Sequence, residues 1–129
     1  MSLIDGLHTV ASTRGPAETL DALEHALHAR GITLFAKIDH AAGAAAVGLP
    51  LGATTVVIFG DPRGGTRLME VAQTIGIDLP LKALVWQDGD GKTWLSYNDP
   101  AWLAKRHGVS APAVAAMTTL LADLAREAT

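Results

Sequence analysis

Leu81-Lys82-Ala83-Leu84-Val85-Trp86-Gln87-Asp88-Gly89-Asp90-Gly91-Lys92-Thr93-Trp94-Leu95-Ser96-Tyr97 is the stretch that decides the fold class of this chain. Two runs of strand character, Leu81 to Gln87 and Lys92 to Tyr97, flank Asp88-Gly89-Asp90-Gly91. Asp-Gly pairs tolerate positive φ in tight turns, so the pattern predicts a β-hairpin and therefore antiparallel neighbours. Trp86 and Trp94 sit where they pair across it.

Upstream, strands and helices alternate. Leu7 to Thr13 reads as a strand, with Leu7, Thr9 and Ala11 on one face and His8, Val10 and Ser12 on the other. Gly15-Pro16 opens a helix whose buried stripe is Leu20, Leu23 and Leu27, and Gly31 stops it. Ile32 to Asp39 is a strand with Ile32, Leu34, Ala36 and Ile38 on one face. The alanine-rich His40 to Val47 favours a short helix, broken by Gly48-Leu49-Pro50-Leu51-Gly52. Ala53 to Phe59 is apolar on both faces, the mark of an interior strand. Thr66 is placed to cap a helix with the stripe Leu68, Met69, Ala72 and Ile75, ended by Gly76.

Downstream, Asn98-Asp99-Pro100 starts a short helix that Gly108 stops. Pro112 opens a last helix with Val114, Met117, Leu121, Leu124 and Ala128 on one stripe. The order β-α-β-α-β-α-β-β-α-α could build a parallel sheet. The hairpin and the short second helix favour an α+β fold instead: a curved, mixed or mostly antiparallel sheet with helices packed mainly on one face.

Composition narrows the class of protein. A chain of 129 residues is expected to form a single domain, and 49% apolar against 18% charged residues is enough to build a core. A net charge of −3 offers no footprint for nucleic acid. The absence of cysteine excludes disulfides, thiolate metal sites and a cysteine nucleophile, and fits a reducing compartment. Met1 to Gly6 has no basic region and no long apolar run, and no stretch approaches the roughly 20 apolar residues of a membrane span. A cytoplasmic location, with neither membrane nor nucleic acid as a partner, is the expectation.

Four motifs carry a family resemblance: Ile38-Asp39-His40, Phe59-Gly60-Asp61-Pro62, Asp78-Leu79-Pro80-Leu81-Lys82 and Tyr97-Asn98-Asp99-Pro100. Their order and spacing resembles the DUF302 family of small bacterial and archaeal domains, also called TT1751-like. The likeness runs from about Leu7 to about Leu121 and implies one DUF302-like domain over residues 1–129, of α+β fold and often dimeric. It implies little about chemistry. The stretch Ala41 to Ala46 departs from what polar ligand contacts would need.

Several residue groups are candidates for a site. Asp39-His40 lies where a strand ends and a helix begins; His40 could ligate a metal or haem, or act as acid/base oriented by Asp39. The competing reading has Asp39 capping the helix and His40 packing. Asp61-Pro62-Arg63-Gly64-Gly65-Thr66 could hold an anion through backbone N–H groups and the Arg63 fork, or serve only as a strand-to-helix corner. Tyr97 and Asp99 could meet a ligand, or be packing and turn chemistry. Asp21, His25 and His28 share a helix face with zinc-compatible spacing, which is equally that of ordinary (i, i+4) pairs. His8 and His107 could reach His40 in space. Lys82 could be a desolvated nucleophile or a solvated cation. Trp86, Trp94 and Trp102 are core or docking surface.

Three functional readings follow. The first is a small ligand- or cofactor-binding domain, homodimeric, with a pocket between sheet and helices near Asp39-His40 and the Asp61–Thr66 loop; haem or a metal on His40 is its cofactor variant. It requires the junctions after the second and third strands to converge on one hollow. The second is an enzyme using His40 as acid/base, with Arg63 or backbone amides stabilising an anion. The third is a structural module for self-association.

Overall fold

The computed structural model describes residues 3–129. The elements are β1 (Leu7–Ala11), α1 (Pro16–Ala29), β2 (Thr33–Asp39), α2 (His40–Ala46), β3 (Thr54–Gly60), α3 (Pro62–Val71), a 3-10 turn (Gln73–Asp78), β4 (Leu81–Gln87), β5 (Thr93–Asn98), α4 (Pro100–Arg106) and α5 (Pro112–Ala128).

The five strands form one sheet in the order β1-β5-β4-β3-β2, and every neighbouring pair is antiparallel. The hairpin sits where the Asp-Gly pattern puts it: Gln87 pairs with Thr93, and Gly91 takes φ 80°, a conformation other side chains rarely adopt. Asp88 organises the turn. One carboxylate oxygen accepts from the backbone N–H groups of Asp90 and Lys92, and the other from the Trp94 indole at 2.9 Å.

One face of the sheet carries the main core. Val57 and Phe59 of β3, Val85 of β4 and Leu95 of β5 pack against Leu23 and Leu27 of α1 and Leu121 and Leu124 of α5. Burial of such side chains stabilises by about 1.5–3 kcal/mol each. Of the helix stripes read from the sequence, Leu23, Leu27, Leu68, Leu121, Leu124 and Ala128 are buried, while Leu20, Met69, Val114 and Met117 are partly buried. A smaller core joins Leu68 of α3, Ile75 of the 3-10 turn, and Ala104 and Val109 around α4, with Leu79 and Met117 touching both cores.

Three local expectations are corrected. The helix expected to carry Ile75 and end at Gly76 stops at Val71, and Ile75 and Gly76 belong to the 3-10 turn Gln73–Asp78. Thr66 does not cap a helix: α3 begins four residues earlier, capped by Asp61, whose carboxylate accepts from Arg63 N–H at 3.0 Å. Pro62 fixes φ at the first helical position and supports the earlier start. The expected face Ile32-Leu34-Ala36-Ile38 is also split. An irregularity between Leu34 and Ala36 pairs Leu34 with Phe59 on the helix-covered side but Ala36 with Ile58 and Ile38 with Val56 on the other. The extra residue, Phe35, is 48% exposed.

Candidate functional site

The second face of the sheet has no helix layer over its centre. Because side chains alternate, this face is built from three cross-strand rows. The middle row is Ile38, Val56, Leu84, Ser96 and Thr9. One end row contains Thr54, Trp86, Trp94 and Ala11; the other contains Ile58 with Lys82, and Asn98 with Leu7. Val56, Lys82, Leu84, Trp86, Trp94 and Ser96 of these rows, together with Leu3 and Ile4, border a trough of about 820 Å³.

The trough's floor is apolar, and its polar atoms are mostly spent on one another. The Trp86 indole N–H donates to Ser96 Oγ at 3.0 Å, and Ser96 Oγ meets Thr9 Oγ1 at 2.9 Å. Trp86 and Trp94 stack with centroids 6.1 Å apart, and Lys92 Nζ lies 4.6 Å from the Trp94 ring. Their indole N–H groups are both satisfied, so what they offer the trough is ring surface. At the opposite end, Lys82 Nζ donates to Pro80 O at 3.0 Å and has no ion pair among the described residues.

His40 borders this trough at its tryptophan end. Asp39 does not orient it. As the last residue of β2, Asp39 turns its carboxylate to the start of α2, accepting from Ala42 N–H at 2.9 Å. No Asp39–His40 ion pair is present among the described residues, so the two do not form a dyad.

The expected convergence on one hollow does not occur. β2 and β3 are antiparallel, with Asp39 opposite Thr55 and Gly60 opposite Thr33. The two junctions therefore lie at opposite ends of the sheet, roughly 20 Å apart at about 3.3 Å per residue. Asp61-Pro62-Arg63-Gly64-Gly65-Thr66 is a helix start and not a loop. Arg63 points outward, its side chain 92% exposed and 3.6 Å from Asp61. Asp61, Gly65 and Thr66 border a separate hollow of about 260 Å³ with Phe35, Met69 and Met117, while Gly64 faces the Met117 side chain. The main trough is likewise not between sheet and helices, because α1 and α5 fill that space with side chains.

Tyr97 borders the trough, but its ring belongs to the main core and lies 5.0 Å from the His8 ring. Burial, and then the Asp99 carboxylate, push its hydroxyl above the ordinary tyrosine range. Asp99 caps α4 through Ala101 N–H at 2.9 Å and approaches His8 Nε2 at 3.6 Å. His8 is thus on the helix-covered face and does not join His40. Asp21 and His25 border a shallow depression on α1 with Arg14 and Glu18. Among the described residues no group of three or more His, Asp or Glu side chains gathers to hold a metal ion, at His40 or elsewhere.

One cluster was not read from the sequence. His107 Nε2 meets Asp78 Oδ2 at 2.6 Å, His107 Nδ1 meets Thr74 Oγ1 at 2.9 Å, and Arg106 Nη1 lies 3.2 Å from both Asp78 oxygens. It fastens the 3-10 turn to the end of α4. Asp78 belongs to the quoted Asp78-Leu79-Pro80-Leu81-Lys82 motif, but the partners are too distant in the chain for spacing to reveal them.

Comparison with known proteins adds the following. The chain is 48% identical over 122 residues to "Fluoride-specific ion channel FluC 1" of Brucella suis biovar 1 (strain 1330), covering 92% of this chain and 48% of that protein. It is equally similar to FluC 1 of Brucella abortus biovar 1 and FluC 2 of Brucella melitensis biotype 1, covering 45% of each. The chain thus spans about half the length of the curated relatives it matches. The crystal structure of an uncharacterized conserved DUF302 protein from Bacillus stearothermophilus is similar in fold, with a TM-score of 0.85 at 21% identity, covering 98% of this chain and 100% of that one. The family model described as "Domain of unknown function DUF302" matches residues 8–126, and the chain belongs to the DUF302 family.

Proposed function

We propose that this domain binds a small molecule on the open face of its sheet. The observation that carries the reading is the trough itself: about 820 Å³, floored by Val56, Leu84, Trp86 and Trp94, with few polar atoms left unpaired. Small-molecule sites occupy about 300–1,000 Å³ and have this composition. The two tryptophans supply the assay. In a Trp102→Phe background they are the only tryptophans, and titration with 1-anilinonaphthalene-8-sulfonate should change their emission saturably. Leu84→Arg, which puts a long charged side chain on the floor, should abolish the change while the far-ultraviolet circular dichroism is kept. An unchanged titration in Leu84→Arg would remove the trough as the site.

The domain works as a homodimer in this reading. The specific support is the apolar excursion between β2 and β3. Val47, Leu49 and Leu51 are 71%, 62% and 52% exposed, and α2 buries no residue. Isolated helices this short are marginal in water, and an exposed apolar run is a docking surface. Sedimentation should give a dimer that Leu49→Asp converts to monomer; a monomer at every concentration defeats this part.

The Brucella relatives favour a second reading, as an accessory module of a fluoride-specific channel. This chain matches just under half of each. Among the described residues no helix is long and apolar enough to cross a membrane, so the conducting role would fall outside the matched part. Deleting the domain should alter fluoride tolerance at constant channel abundance; unchanged tolerance counts against it.

A further inference from the structure

We propose that the ligand of this trough is an anionic amphiphile, its carboxylate at Lys82 and Asn98 and its apolar body along the sheet to the tryptophan pair. The inference rests on the small-molecule reading and names the class of molecule. Charge is the first argument. Among the described residues no Asp or Glu lines the trough, and Lys82 is the only lysine or arginine that does. The Asp88 carboxylate beside Trp94 is occupied by that indole and two backbone amides. Lys82 has three ammonium donors and uses one of them, on Pro80 O. Its stem lies in the end row of the apolar face, so the ammonium meets solvent from a surface where a carboxylate is worth more than in open water.

The layout of polar atoms is the second argument. Between Lys82 and Trp86 the floor is Leu84 with Val56 beside it, and the Ser96 and Thr9 hydroxyls of the same row bond to each other. A ligand with hydroxyls or amides along its body would find few partners there, and burying them unpaired is costly. The length of the trough fits the same kind of ligand. Lys82 and Trp86 are four residues apart on one strand, about 13 Å. A medium-length acyl chain, or a short chain ending in an aromatic ring, spans that distance with its head at the ammonium and its tail on the indoles.

The test compares decanoate, decan-1-ol and decyltrimethylammonium by tryptophan emission in the Trp102→Phe protein. Decanoate is expected to bind roughly tenfold or more tightly than the alcohol, the scale of a charge-assisted hydrogen bond, and the cation to bind most weakly. Lys82→Met should collapse the decanoate-over-decanol ratio towards unity, and Lys82→Arg should restore it. Equal affinity for acid and alcohol in the parent protein, or a preference that survives Lys82→Met, overturns the anionic assignment and leaves a neutral apolar ligand in the trough. Failure of all three compounds to bind overturns the assignment together with the small-molecule reading on which it stands.

Discussion

Trp86 and Trp94 stand directly opposite each other on β4 and β5, their rings 25° from parallel, and each indole N–H is tied to a different neighbour: Trp86 to Ser96, Trp94 to Asp88. The pair therefore links the open face to the hairpin turn. Changes in the turn should be visible in the emission of the trough.

The Asp88 carboxylate is held below the usual carboxylate range, first by the Trp94 indole hydrogen bond and then by the Lys92 backbone N–H. A carboxyl with a depressed folded pKa contributes stability that is complete above its ordinary unfolded value and is lost as pH falls through the folded value. Acidification into that range should lower the melting temperature and shift Trp94 emission together. Asp88→Asn should remove this part of the acid dependence. A variant with the same acid profile as the parent would show that Asp88 is uncoupled from folding.

Tyr97 is the chain's only tyrosine, and burial followed by the nearby Asp99 raises its pKa above 10.0. Here the folded state keeps a proton that the unfolded state gives up, so stability should decline as pH rises past the ordinary tyrosine value towards the raised one. A spectrophotometric titration should find phenolate appearing above the free-tyrosine range, and Asp99→Asn should lower the midpoint. A midpoint at the ordinary value would refute the burial of the hydroxyl.

Asp78 anchors His107, whose side chain is 9% exposed, and Arg106 across the seam between the 3-10 turn and α4. Asp78→Ala should cost about 1–3 kcal/mol by denaturant unfolding, because it strands a buried imidazole N–H. Adding His107→Ala should cost less than the sum of the two single changes. Strict additivity would mean that the pair is not coupled.

Phe35 and Phe59 lie on adjacent strands but differ in consequence. Phe59 is 0% exposed and Phe35 is 48% exposed. Phe59→Ala should cost about 3–5 kcal/mol, the range for a buried aromatic. Phe35→Ala should change the unfolding free energy far less. Comparable losses would show that Phe35 is covered in solution, by a second copy or a ligand.

Much of the architecture was legible in the residues. Asp88-Gly89-Asp90-Gly91 marked a hairpin, because its last residue, Gly91, takes a positive φ that few other residues enter. Leu23 and Leu27, and Leu121 and Leu124, declared their buried stripes through helical spacing. Asp99 and Pro100 marked the start of α4. These are local effects, decided within a turn or two of the chain. The site was less legible. His40 and Asp61 each stand at a strand-to-helix junction, and nothing local distinguishes converging junctions from opposed ones.

Only the tertiary structure decided that β2 runs against β3, sending Asp39 and Gly60 to opposite ends of the sheet. It also decided that α1 and α5 cover one face and leave Leu84, Trp86 and Trp94 on the other. Alternation in a strand says that two faces exist but not which face the helices will cover. That choice depends on hydrogen bonds and packing between residues far apart in the chain. The sequence by itself therefore determined the elements and the turn that pairs β4 with β5. The place where a ligand could lie was determined by long-range packing, because a trough is the space left between side chains from β1, β3, β4 and β5.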